Sequence, residues 1–163
     1  MSIISAVREY IASCPLLGLS DAKKLHINWT DDKADSHGIV PDGDIITKKF
    51  LNGGGKHQYS FSLFVRKFSA VDFENLRNAE FIEELQRWCS EESLAKRLPL
   101  LPEGLVPLRL EALNGMAFEP DKSGKTGLFS IQFNLYYNEY RRYFSWQIFF
   151  PKVLFSVPTL YPI

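Results

Sequence analysis

The chain has 163 residues, is 45% hydrophobic, and sets nineteen basic side chains against nineteen acidic ones. That length makes one domain the default and allows roughly 70% of the unfolded surface to be buried, while the apolar content argues against disorder. Zero net charge makes the chain a poor candidate for non-specific DNA binding, although it leaves room for a local basic patch.

Ser2 is placed to cap a first helix, in which Ile3, Ile4, Val7, Tyr10 and Ile11 form one apolar face and which Pro15 and Gly18 end. Arg8 and Glu9 interrupt the apolar pattern of the N-terminal stretch, so it does not read as a signal peptide. Leu25, Ile27 and Trp29 alternate with Lys24, His26 and Asn28, the pattern of a half-buried strand. Residues 31–43 are polar and carry Gly38, Pro41 and Gly43, so they read as a loop with a short extended piece around Ile39.

A hairpin is the sharpest local signal. Ile45 to Leu51 form its first strand, and Asn52, Gly53, Gly54, Gly55, Lys56, His57 and Gln58 form a glycine-rich turn. In the second strand Tyr59, Phe61, Leu63 and Val65 share one face, with Ser60, Ser62 and Arg66 on the other. Ser69 and Asp72 have capping-box spacing. The helix they open runs to about Cys89, with Phe81, Leu85, Trp88 and Cys89 inward and Glu83, Glu84 and Arg87 outward. Pro99, Pro102, Gly104 and Pro107 mark residues 94–107 as a connector.

Two strands close the pattern. Leu108, Leu110, Ala112, Met116 and Phe118 alternate with Arg109 and Glu111; Phe129, Ile131, Phe133, Leu135 and Tyr137 alternate with Ser130, Gln132 and Asn134. Residues 121–125 connect them as a hairpin. The order is α-β-β-β-α-β-β, which predicts an α+β fold: a mostly antiparallel sheet of about four or five strands with two main helices packed on one face. Residues 1–138 form the single domain. Residues 139–163 are expected to be an irregular apolar arm: the run from 144 has one charge, Lys152, and Pro151, Pro158 and Pro162 argue against a continuous membrane helix.

No motif carries chemistry. Gly124, Lys125 and Thr126 look like the end of a phosphate loop, but Glu119 stands where that motif needs glycine and a strand, not a helix, follows. A nucleotide-binding protein or enzyme using this turn is the alternative class. Asp31, Asp32, Asp35, His37, Asp42 and Asp44 make an acidic loop without EF-hand spacing. His26, His37 and His57 are scattered, so no metal, cofactor or catalytic set is assigned. Cys14 and Cys89 read as buried, reduced thiols. The aromatic strands read as core rather than as a base-stacking platform. Hairpin tips often make contacts, which makes Lys48, Lys49, Asn52, Gly53, Gly54, Gly55, Lys56 and His57 the candidate interaction residues, with Asp31, Asp32 and Asp35 of the acidic loop beside them.

Several blocks carry a resemblance when taken in order: Leu25-His26-Ile27-Asn28-Trp29; Ile45-Ile46-Thr47-Lys48-Lys49-Phe50 with the glycine turn and Gln58-Tyr59-Ser60-Phe61; Asn75-Leu76-Arg77-Asn78-Ala79-Glu80-Phe81 with Glu84-Leu85-Gln86-Arg87-Trp88. Leu98-Pro99-Leu100-Leu101-Pro102-Glu103-Gly104, Leu110-Glu111-Ala112-Leu113-Asn114-Gly115 and Ile131-Gln132-Phe133-Asn134-Leu135-Tyr136-Tyr137 complete them. Their order and spacing, over about residues 1–138, resemble the minor capsid proteins of tailed phages and prophages of Gram-positive bacteria, which are similar to tail terminators. The resemblance implies a tail-terminator-like fold and a structural role without catalysis. It implies a ring, usually hexameric, of identical subunits that meets tail-tube and head-completion proteins, in the host cytoplasm during assembly and then in the virion. It implies neither membrane attachment nor recognition of a nucleic-acid sequence. A host adaptor of similar fold is a further alternative.

Overall fold

A computed structural model describes the backbone of residues 2–30, 33–51, 53–68, 72–113, 119–120 and 125–140. Helix α1 (Ile3–Ala12) begins where Ser2 Oγ accepts the Ser5 amide. Its Val7 and Ile11 are fully buried. A 3-10 turn at Pro15–Leu17 follows and ends at Gly18 in the left-handed region.

The sheet is mixed. Strands β1 (Leu25–Ile27), β2 (His37–Lys49), β3 (Gly55–Phe68), β4 (Leu105–Ala112) and β6 (Thr126–Glu139) lie in the order β1-β2-β3-β6-β4. The two-residue β5 (Glu119–Pro120) pairs with the start of β6. Among the described strands β1 and β2 run parallel, and the β2–β3, β3–β6, β4–β6 and β5–β6 pairs are antiparallel.

Alternation in β3 and β6 sets the core. Phe61 pairs with Phe133 and Leu63 with Ile131, and all four side chains are fully buried. The two rings stack with centroids 5.1 Å apart and planes 3° from parallel. Both helices pack on this face: Ala6, Val7 and Ile11 of α1 join Ile82, Leu85 and Cys89 of helix α2 (Asp72–Leu94) in one apolar cluster with the strand residues. Tyr10 of α1 lies 5.5 Å from the Trp88 ring and donates its hydroxyl to the Arg97 carbonyl, tying α1 to the end of α2. Cys14 and Cys89 are free and buried, and desolvation pushes the Cys89 thiol up to about 12. The opposite sheet face is polar: Ser60 Oγ donates to Asn134 Oδ1, and Lys56 and Arg109 lie over the Tyr136 ring.

The structure departs from the sequence expectation at several boundaries. Strand β2 begins at His37, inside the segment expected to be a loop. Its pairing with β3 admits the loop-forming residues through a bulge between Pro41 and Gly43. Pro41 is tolerated because, among the described residues, β1 covers β2 only at His37–Ile39 and leaves Pro41 on a free edge. Gly38 is required: a Cβ there would collide with the backbone carbonyl of Trp29. Strand β1 stops at Ile27 because Asn28 turns into the left-handed region, so Trp29 is exposed and stacks on His26 instead of facing the core. Helix α2 continues past Cys89 to Leu94. Strand β4 takes in Pro107, assigned from sequence to the connector, at a bulge between Pro107 and Arg109. The capping residue Ser69 and the strand positions Met116 and Phe118 lie outside the described residues. So does the expected arm, apart from Glu139 and Tyr140; Glu139 is the last residue of β6.

Candidate functional site

The β2–β3 hairpin is the most exposed part of the described sheet. From Pro41 to Lys49 every residue of β2 is exposed, while β3 alternates buried and half-buried from Gly55 to Arg66. Two bulges, at Pro41/Gly43 and Ile46/Lys48, reset which side chains share a face. Asp44 and Ile46 thereby oppose Tyr59 and His57 on the helix-bearing face, and Ile45 opposes Gln58 on the other.

The candidate residues divide between the tip and the interior. Lys48 and Lys49 are exposed and, with Phe50, Leu51 and Tyr140, line an open apolar hollow of about 530 Å³. Phe50 and Tyr140 stack with centroids 6.3 Å apart, and Leu51 is fully exposed. Gly53 is exposed in the left-handed region, whereas Gly54 is buried. Gly55 already belongs to β3, where a Cβ would stand 3.0 Å from the Lys48 carbonyl oxygen; only glycine allows the strands this approach without a shift. Lys56 is half-buried over Tyr136, and His57 is buried. In the acidic segment, Asp35 is exposed and pairs with Lys67 at 2.8 Å. Asn52, Asp31 and Asp32 lie outside the described residues. The structure thus brings Lys48, Lys49, Phe50 and Leu51 to one end of the sheet and leaves Asp35 near the other, where His37 pairs with Val65.

His57 is the centre of a clamp that the sequence did not reveal. Its Nδ1 lies 3.1 Å from Asp44 Oδ2, and its Nε2 lies 3.3 Å from Glu139 Oε2. The second contact is an ion-pair distance without hydrogen-bond geometry. The Tyr137 hydroxyl donates to Asp44 Oδ2 at 2.7 Å, and the Tyr137 ring stacks on the imidazole at 4.8 Å. Burial, followed by the Asp44 carboxylate, pushes the Tyr137 hydroxyl well above its usual value, so it stays a donor. One imidazole therefore ties the edge strand β2 to β3 and β6. The carboxylates face opposite ring nitrogens, so they cannot chelate one ion together with it. Among the described residues no group of His, Cys, Asp and Glu is placed to hold a metal. Asp44 pairs with Tyr59 and His57 with Ile46, so Asp44 and His57 meet as diagonal neighbours across the β2–β3 ladder. No local pattern pointed to Glu139, which reaches them through the β3–β6 register.

The other sequence motif is part of the sheet. Thr126 is buried and opens β6, so its backbone enters a strand ladder rather than a helix N-terminus. No described helix is long and apolar enough to cross a membrane. No protein-family model matches the chain, and no curated protein matches it.

Proposed function

We propose that this chain is a structural subunit of a tailed-phage or prophage particle, acting at the head–tail junction as a tail-terminator-like ring component. The reading rests on the ordered sequence blocks above. The observation that carries it is the turn end of the β2–β3 hairpin: β3 is held in the sheet by β6 along its whole length, His57 clamps the strands beside the turn, and the tip presents Lys48, Lys49, Phe50 and Leu51. A tip held in this way suits assembly, because it offers a contact surface without needing to fold on docking. Identical subunits close a ring through heterologous contacts, and the hairpin tip then meets the next ring. The partners under this reading are further copies of the chain, the tail-tube protein and head-completion proteins. The work is done in the host cytoplasm and the product is the virion.

The test is electron microscopy of the purified chain mixed with tubes of the tail-tube protein encoded beside it. Rings capping tube ends are expected, and Leu51→Asp at the hairpin tip should reduce capped ends at least tenfold. Uncapped tubes with the unaltered protein would reject the reading. Saturable ATP or GTP binding that Lys125→Ala abolishes would replace it with the nucleotide-binding one.

A further inference from the structure

The two sides of the sheet are finished differently. On the β4 side, α2 and the turn after it lay side chains along the strand's outer backbone. Ser93 Oγ accepts the Leu110 amide at 3.1 Å, and Cys89 Sγ approaches the Leu110 carbonyl at 3.5 Å. Lys96 Nζ reaches the Leu108 carbonyl, and Gln86 Nε2 the Leu113 carbonyl. That edge is closed. On the β2 side, β1 covers only His37–Ile39, so among the described residues the outer edge from Val40 to Lys49 has no strand beside it. Such an edge is a template for pairing with another chain.

The edge has a direction written in charge. Asp42 and Asp44 come first, Ile45 and Ile46 stand in the middle, and Lys48 and Lys49 follow. Ile45 and Ile46 are 58% and 52% exposed on opposite faces of the strand, so each face of the edge carries an uncovered apolar side chain. Neither lysine makes an ion pair with a described residue, and Asp42 accepts the Ser62 hydroxyl at the surface.

We propose that β2 pairs antiparallel with β2 of a second copy of this chain, about a two-fold axis near Ile45 and Ile46. In that arrangement the acidic end of each strand lies beside the basic end of the other, and the isoleucines meet at the axis. A parallel pairing would set acid beside acid and base beside base. Pro41 and the two bulges confine the regular ladder to Gly43–Ile46, which disfavours longer, generic strand addition, while the charges of Asp42, Lys48 and Lys49 flank that short ladder and set its direction. The contact is isologous and closes on itself. It goes beyond the ring proposed above and stands whether or not that ring forms, because a ring needs separate heterologous contacts.

Sedimentation velocity of the full chain over a concentration series is the first measurement, with a monomer–dimer equilibrium expected. Lys48→Glu/Lys49→Glu should raise the dimer Kd about a hundredfold, because four acids then face four acids. Asp42→Lys should also weaken it. Mixing the two variants should restore dimers, since each supplies the charge that the other lacks. Ile45→Cys should cross-link to itself under mild oxidation, whereas Leu100→Cys, exposed on the connector, should not. These positions are exposed, and circular dichroism confirms that each variant folds; if a charge variant does not fold, the Ile45→Cys cross-link decides alone. A chain that stays monomeric, even one that captures an unrelated extended peptide on β2, overturns the proposal. So do open-ended oligomers, charge variants with unchanged Kd, or failure of the mixture to recover.

Discussion

Replacing Phe133 with alanine removes half of the stack on which the two central strands are joined. Phe133 and Phe61 are fully buried, directly opposed, and 5.1 Å apart. Deleting a buried phenylalanine side chain costs about 3–5 kcal/mol, from lost transfer energy and the cavity left behind. The aromatic pairing accounts for about 0.5–1.5 kcal/mol beyond burial. Domains are stable by only about 5–15 kcal/mol, so Phe133→Ala should consume a large share of the total. Phe133→Asp, which adds an unpaired buried charge, should leave the chain unfolded. At about 2–4 °C per kcal/mol for a chain of this size, the alanine variant should melt about 6–20 °C lower. Urea unfolding followed by tryptophan fluorescence measures the loss, with exposed Gln132→Ala as a control that should stay within about 0.5 kcal/mol. A double-mutant cycle of Phe61→Leu and Phe133→Leu isolates the pair term. A Phe133→Ala variant within about 1 kcal/mol of the parent would show that these strands are not the centre of the core, and a soluble Phe133→Asp variant with the parent's melting temperature would show the same.

His37 is buried, and desolvation followed by the Lys67 charge lowers its proton affinity. The unfolded chain therefore takes up this proton first, so the stabilisation present above the ordinary value of 6.5 should fall as the solution is acidified below it. Urea midpoints between pH 7.5 and pH 5 should decline more steeply for the parent than for His37→Phe; equal slopes would refute this. His57→Ala should cost about 1–3 kcal/mol, because it takes the imidazole away from Asp44 and Glu139 and from the Tyr137 ring. Amide exchange should then accelerate at residues 44–49, while His57→Phe, which retains the stack on Tyr137, should recover part of the stability but not the exchange protection. Unchanged exchange in β2 would mean that the clamp does not hold the edge.

Local pattern was enough to identify β3, β6 and the inner faces of both helices, because strict alternation and helical spacing report which side of an element meets the core. Phe61, Phe133, Leu85 and Cys89 were legible in this way. The origin of β2 was not: Gly38, Pro41 and Gly43 are turn residues by composition, and they extend as a strand only because β3 offers a ladder and the free edge tolerates proline and a bulge. Trp29 was misplaced because a single left-handed residue, Asn28, ends the alternation. The clamp depended most fully on tertiary structure. Asp44, His57 and Glu139 meet through two cross-strand registers, and a register is a property of pairing between distant segments rather than of either segment. The same holds for the two sheet edges. The charges of β2 can be read from the chain, but that among the described residues β2 is open while β4 is sealed by Gln86, Cys89, Ser93 and Lys96 follows only from where the packing of α2 and the turn after it places those side chains.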